Sequence, residues 1–323
     1  MKRPLLFRLN GISVVEIRGK DASTIVHNLT TQAIRDMKQG ETRETFVTDV
    51  KGKTVGHLMV QRDLDAIRLA GPLGQSNQVA AHIDRYIIRE DAQVSILDGQ
   101  YNGLVANPEL ATQLLGRKAD AVKTDDQAST GTHPNTTASI EVNGQSIPAI
   151  TVAWAGRESL LLLTTSVDAD IVAQSIADEY QCKVEDEESF HQARTLCGFP
   201  WFGVDLNQSN LPQEADRDRE TISFTKGCYL GQETIARLDA MGQVQKKLVR
   251  WKITGGKPCS GSTVESEGKV VGRLTSVAKT EDGVFAIGPA RRTHFESGST
   301  AVVVDEVDSN KAGTAEPMIA TVQ

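Results

Sequence analysis

Apolar and polar positions along the chain change period several times, and the changes mark out its elements. Residues 5 to 18 alternate as one or two strands around a turn at Asn10-Gly11, with Val14, Val15 and Ile17 as the apolar positions. Asp21 then precedes Ala22, Ile25, Val26 and Leu29 at helical spacing, which predicts a helix with Asp21 as its N-cap and with His27 and Asn28 near its end as surface or capping residues. Strand-like runs at 44–50 and 54–61 flank Lys51-Gly52-Lys53 and read as a hairpin. A strand over 66–70, a helix over 76–86 and a strand over 90–97 follow. Next come a short helix within 104–118 behind strand-like Leu104-Val105, strands over 139–153 and 159–164, and a helix over 168–180 with Ile171, Val172, Ile176 and Ala177 inward. The acidic run Glu185-Asp186-Glu187-Glu188 suits the positive end of a helix that continues through Phe190, Ala193 and Leu196.

Other stretches lack periodicity. Residues 119–138 are polar and predict an exposed loop, and 199–220 predict a long irregular connection of the kind that often carries function. Beyond Met241-Gly242 short strands at 244–253, 262–264, 270–278, 284–287 and 301–304 alternate with turns, as in a small β-barrel or sandwich, and the last dozen residues read as a tail. The predicted class is α+β. The divisions are an N-terminal unit over 1–100 that also draws on part of 190–240, a central unit over 101–240, and a C-terminal β-barrel over 241–323.

Composition narrows the function classes. With 323 residues, 39% hydrophobic residues and 27 glycines, the chain builds its cores without staples. A net charge of −7 argues against a general nucleic-acid binder. The basic run Lys246, Lys247, Arg250 and Lys252 is read as a solvated strand face, with contact to RNA phosphates as the alternative. The four cysteines, at 182, 197, 228 and 259, include no CxxC pair, so neither a structural zinc site nor a disulfide framework is expected. No apolar run approaches a membrane span. A cytoplasmic protein with reduced thiols is the expectation.

The chemistry concentrates in 221–237. Ile222 to Phe224 reads as a strand, Lys226-Gly227-Cys228 as a tight turn, and Gly231-Gln232-Glu233 as the start of a helix through Ile235, Ala236 and Leu238. A cysteine between a strand end and a helix start meets free N–H groups and the positive end of the dipole, and the Lys226 ammonium adds to this, so a reactive thiolate at Cys228 is one reading. A small buried cysteine at a turn is the other.

The octet Lys226-Gly227-Cys228-Tyr229-Leu230-Gly231-Gln232-Glu233 resembles the signature of the YgfZ family, relatives of the glycine-cleavage T-protein. The resemblance extends to Arg194 with Gly198-Phe199-Pro200, to Gly203-Val204-Asp205, and to Leu211-Pro212-Gln213-Glu214. It also takes in Asn28-Leu29-Thr30-Thr31, Phe46 to Lys53, and Gly268 to Ser276. It implies a ring of three domains around a channel holding tetrahydrofolate or a folate derivative. It also implies a role in supporting iron–sulfur enzymes as clients and in tRNA modification. A closed ring needs no partner, so a monomer is expected. The alternative is a folate-dependent aminomethyl- or methyltransferase of the T-protein type. Against it, the catalytic aspartate of those enzymes has no counterpart, because Gly56-His57-Leu58-Met59 stands in its place. His57 is then either a half-exposed strand residue or a proton-transfer group. By the same resemblance Glu214 pairs with the pterin edge. Arg237, Arg194 and Lys226 are candidates for the anionic folate tail, and Asp205 completes the cofactor set. Cys228 and Lys226 are the expected catalytic residues.

Overall fold

A computed structural model describes residues 3–117, 135–242, 244–305 and 317–323. The strands and helices run β1 (Leu5–Arg8), β2 (Ser13–Arg18), α1 (Ala22–Leu29), β3 (Glu41–Thr48), β4 (Thr54–Arg62), β5 (Ala66–Gly71), α2 (Ser76–Asp84), β6 (Gln93–Ile96) and β7 (Tyr101–Ala106) in the first third. They continue as α3 (Pro108–Arg117), β8 (Asn135–Val142), β9 (Gln145–Val152), β10 (Ser159–Thr165), α4 (Ala169–Tyr180), β11 (Lys183–Glu185), α5 (Glu187–Cys197), α6 (Asp218–Thr221) and α7 (Gln232–Met241). The C-terminal part holds β12 (Lys246–Thr254), β13 (Thr263–Ser266), β14 (Lys269–Arg273), β15 (Ser276–Thr280), β16 (Gly283–Arg291), β17 (Thr300–Val304) and β18 (Met318–Val322).

Eleven strands form one sheet in the order β11-β1-β7-β10-β9-β8-β3-β4-β5-β2-β6. Its two halves join where β3 pairs with β8 at Glu41–Thr136 and Thr42–Asn135. The N-terminal strand β1 lies in the second half, between β7 and β11, away from the hairpin that follows it in sequence. Helices α1 and α2 close one apolar core through Ile25, Val26, Leu29, Val79 and Ile83 against Val15, Ile17, Val60 and Leu69. Helices α3 and α4 close another through Leu110, Leu114, Val172 and Ile176 against Leu104, Leu160 and Leu162. Such helix-on-sheet layers are the α+β arrangement that the mixed element order predicts.

The remaining strands close into a barrel, β12-β18-β17-β13-β14-β16, with β16 returning to β12 and β15 added beside β16. Closure removes the free edges that an open sheet would present. Trp251, Val264, Leu274 and Ala286 fill the interior.

Several sequence expectations are corrected here. The C-terminal residues 317–323 are no tail: β18 pairs with both β12 and β17, and the barrel could not close without it. The signal was weak because Met318-Ile-Ala-Thr-Val322 is a five-residue run isolated behind a polar stretch. Ile222 to Phe224 is not a strand but coil, since its backbone N–H groups bond to Asp218 O and to Thr31 O just past α1 and not to a sheet neighbour. Ile171 points outward at 61% exposure, and Ala173 takes the inward position on α4 instead. The expected loop at 119–138 falls outside the described residues up to 134, and 135–138 belong to β8. Asp21 sits at the N-cap position of α1, yet its carboxylate accepts the Asp91 N–H at 2.8 Å instead of capping the helix.

Candidate functional site

The octet's loop is stitched to the end of α1. Ser223 N–H donates to Thr31 O at 3.0 Å and Leu230 N–H to Asn28 O at 2.8 Å. Thr31 Oγ1 donates to Thr221 O at 2.6 Å, and Thr48 Oγ1 to Leu230 O at 2.7 Å. The stretches 28–31 and 226–233 are thus two sides of one structure. Gly231 makes this possible. It has φ +81°, and a Cβ there would lie 2.4 Å from Asp49 O and 2.6 Å from the Cα of Gly52 in the hairpin turn.

Lys226 anchors the loop. Its Nζ donates to the carbonyls of His27, Thr30 and Gln32 at 2.6, 2.7 and 2.7 Å, and it lies 4.8 Å from the centre of the Tyr229 ring. These carbonyls cluster at the C-terminal end of α1, where a cation is favoured. Burial, with Arg35 next in weight, brings its ammonium down to about 7. Its three donors face carbonyl oxygens, so the lysine holds the loop in place of flanking the thiol.

Cys228 is exposed. It borders two cavities. One, of about 700 Å³, has a mixed lining that includes His27, Asn28, Arg35, Lys226 and Gly227. The other, of about 410 Å³, includes Ile25, Leu29, Tyr86 and Tyr229. Gly227 has open space where a Cβ would be. An exposed thiol on a ridge between two cavities is not the buried turn cysteine that the sequence also allowed.

His27 was read as a surface or capping residue but is buried, and its Nδ1 accepts the N–H groups of Ile34 and Arg35 at 3.0 and 3.2 Å. Burial first, and Lys226 second, push it down to about 4. His191 is held near 4 as well, by burial and then Arg194, whose Nε donates to its Nδ1 at 2.7 Å. Asp218 is raised to about 6, chiefly by burial. Between pH 6.5 and 4 each histidine takes a proton in the unfolded chain but not in the folded one, so stability falls as pH drops. Asp218 opposes this between pH 6 and 3.8, because there the folded state holds the extra proton. These three groups net about one proton, and His82, lowered by burial in the same direction, adds to it, so stability should fall by at least about 1.4 kcal/mol per pH unit near pH 5. Urea midpoints measured from pH 7 to 4 check the slope, and a flat profile counts against histidines held neutral in the fold.

Glu214 lies 7% exposed in the short 3₁₀ turn Pro212–Ala215. One oxygen accepts from Asn210 Nδ2 at 2.6 Å and lies 3.5 Å from Lys246 Nζ. It lines neither cavity that Cys228 borders. Arg237 stands exposed on α7. Arg194 and Asp205 are joined to each other, Nη1 to Oδ2 at 2.7 Å, with side chains 2% and 0% exposed. Asp205 also accepts from Trp201 N–H, Thr275 Oγ1 and Ser276 Oγ, which ties α5 and the irregular connection to the barrel. The geometry gives this pair a structural task. In the basic run Lys247 meets Asp216 at 3.0 Å and Arg250 donates to Leu196 O at 2.8 Å, whereas Lys252 is exposed.

A second cluster escaped the sequence reading. His57 is 3% exposed, so it is not a half-exposed strand residue. Its ring stacks on Phe46 at 4.4 Å and lies nearly parallel to Phe199 at 5.8 Å. Its Nε2 meets Glu44 Oε1 at 2.7 Å, and Arg217 grips both oxygens of Glu44 at 2.6 and 2.5 Å while lying over Phe199. Arg217 and the His57 hydrogen bond outweigh burial and hold the Glu44 carboxyl down to about 2. A carboxylate therefore stands beside His57, supplied by β3 and not by β4. Period-two alternation carried the signal, since Thr42, Glu44 and Phe46 share the inward face of β3. The space among Glu44, His57, Met59, Pro72, Trp154 and Phe199 is tight, about 170 Å³ of interatomic gaps without room for water. Among the described residues no group of three or more His, Cys, Asp or Glu side chains is arranged to hold a metal, and no helix is long and apolar enough to cross a membrane.

No protein-family model matches the chain. It is 22% identical over 321 residues to the tRNA-modifying protein YgfZ of Escherichia coli, covering 94% of this chain and 90% of that protein. It is 22% identical over 271 residues to the protein of the same name from Blochmanniella pennsylvanica, covering 81% and 78%. A chloroplastic protein of Arabidopsis thaliana, named for a transferase activity, is 36% identical over 89 residues, but these span only 27% of this chain and 20% of that one. Among solved structures the glycine cleavage system aminomethyltransferase T of Bartonella henselae superposes with a TM-score of 0.79 at 14% identity, over 99% of this chain and 85% of that one.

Proposed function

From a chain related to the YgfZ proteins along 94% of its length and folded like aminomethyltransferase T, we propose a folate-binding protein that supports iron–sulfur enzymes and, through them, tRNA modification, with Cys228 as its reactive group. The observation that carries this reading is the exposure of Cys228 on a ridge between two cavities, on a loop fixed by Lys226 and Gly231. A cysteine held only for packing has no need of access, whereas a nucleophile or metal-binding thiolate does. The cytoplasm is the proposed location, and a monomer the proposed state. Glu214 and Arg237 remain the proposed folate contacts. The residues present fit a folate at the cavity beside Cys228, whose about 700 Å³ has room for a pterin ring and which Arg35 lines for an anionic tail.

Aminomethyl transfer of the T-protein type is the weaker reading. The fold favours it, but Glu44, the carboxylate paired with His57, is held ionised by Arg217 and is a poor base.

Cys228→Ser should retain tetrahydrofolate binding by calorimetry and fail to restore iron–sulfur enzyme activity in a host lacking the protein. Full restoration would make the thiol structural. Absence of heat with any folate form would remove the folate claim.

A further inference from the structure

His27, on α1, has one ring nitrogen sealed and one open. Its Nδ1 accepts the backbone N–H groups of Ile34 and Arg35 at 3.0 and 3.2 Å. Two donors on one nitrogen leave no place for a proton there, so the ring is neutral and its proton sits on Nε2. That N–H has no hydrogen-bond partner among the described residues, and it is not one of the fully buried polar atoms left without one. The residue is 7% exposed and lines the cavity of about 700 Å³ beside Cys228, not the neighbouring one. With Nδ1 closed off by backbone, the Nε2 edge is the part of the ring that opens on this cavity.

The surroundings of the ring select what it can bind. Lys226, Arg35 and Arg43 act on it as cations against one carboxylate, Asp36, so the local field is positive. Lys226 has spent its donors on carbonyls, and Asp36 is bonded to Arg43 at 2.9 Å. Arg35 lines the same cavity, and its guanidinium makes a long contact, Nη2 to Asn28 Oδ1 at 3.4 Å, that a carboxylate would displace readily. A neutral N–H beside an open guanidinium in a positive field is a receptor for an anionic acceptor, and a carboxylate matches the planar fork of the guanidinium. In a folate the carboxylates belong to the glutamate tail.

We infer that His27 is a specificity residue of the Cys228 cavity, its Nε2–H joining Arg35 to receive a carboxylate of the folate tail. The inference rests on the proposed folate binding and adds to it which end of the ligand lies against α1 and which residue reads it. A neutral donor suits this place, because it completes the carboxylate's hydrogen bonds without burying a further charge beside Lys226. A site built to bond a polar group rejects the analogue that lacks it, since its own donor is then left unpaired.

The test is anaerobic calorimetry of the full chain with tetrahydrofolate and with tetrahydropteroate, which has the same ring system but no glutamate. The unaltered protein should prefer tetrahydrofolate at least tenfold. His27→Asn keeps an acceptor for the Ile34 and Arg35 N–H groups and removes the donor that opens on the cavity. It should bind tetrahydrofolate about tenfold more weakly and tetrahydropteroate within about twofold of the unaltered protein. His27→Gln carries an amide N–H to the place of Nε2 and gives up the acceptor at Nδ1. It should melt at a lower temperature yet keep most of the preference, a split that a purely structural role would not produce. Bound tetrahydrofolate should also slow alkylation of Cys228 by iodoacetamide at least tenfold, read by mass spectrometry. An unchanged preference in His27→Asn, its loss of both ligands together, or binding that leaves Cys228 unshielded overturns the inference and leaves folate binding standing. Binding of neither ligand by the unaltered protein overturns the folate reading itself.

Discussion

Replacing Asp205 with alanine should destabilise the protein by about 3–5 kcal/mol, because it leaves the Arg194 guanidinium buried without its counter-charge. The Arg194 side chain is 2% exposed and that of Asp205 is inaccessible, so water cannot replace the missing partner. More is lost than one ion pair. Asp205 Oδ2 accepts from Arg194 and from Trp201 N–H, and Oδ1 accepts from Thr275 Oγ1 at 2.5 Å and Ser276 Oγ at 2.7 Å. Arg194 returns the connection from its side, donating Nη2 to Ser276 Oγ at 2.8 Å. Helix α5, the connection after it and strand β15 of the barrel therefore meet on one carboxylate. A double variant, Asp205→Leu with Arg194→Leu, should be less damaging than the single one, since no unpaired charge stays behind. Guanidinium denaturation of the three proteins checks the order. A single variant within 1 kcal/mol of the parent would mean that the pair is dispensable and that its charges remain available for a ligand.

The barrel after residue 241 was legible because short alternating runs separated by Gly and Ser turns leave few other folds. So were the hairpin at Lys51-Gly52-Lys53 and the helix behind Gly231. What escaped depends on contacts between distant parts of the chain. The strand read at Ile222 to Phe224 had suitable local composition, but Ser223 N–H bonds to Thr31 O just past α1, nearly two hundred residues earlier. The role of Lys226 was missed for the same reason. Sequence shows a lysine two residues before a cysteine, and only the fold brings three carbonyls from the end of α1 to its ammonium. The candidate site divided likewise. Cys228 and its turn were visible as a motif. Glu44 and Arg217 lie 173 positions apart and carry no common motif, so their pairing emerges only when the hairpin packs on the connection.

That pairing sets the second large effect. Arg217→Leu should cost about 3–5 kcal/mol at pH 7, with Glu44 left ionised in a closed space and held only by His57. The size of the loss should depend on pH in a defined direction. In the parent protein the Glu44 carboxyl is lowered from its ordinary value to about 2. Its contribution to stability is therefore fully present above pH 4.5 and is lost as pH falls from there toward 2. Without Arg217, burial dominates and the folded-state carboxyl moves above its unfolded value. The variant then gains a proton on folding, so its stability rises, relative to the parent, as pH is lowered toward 4. The difference between the two proteins should be largest at neutral pH and shrink by more than half by pH 4. Paired urea titrations at pH 7 and pH 4 read this directly. A difference independent of pH would assign the loss to packing of Arg217 on Phe199, 4.7 Å from the ring centre, and not to the charge it balances.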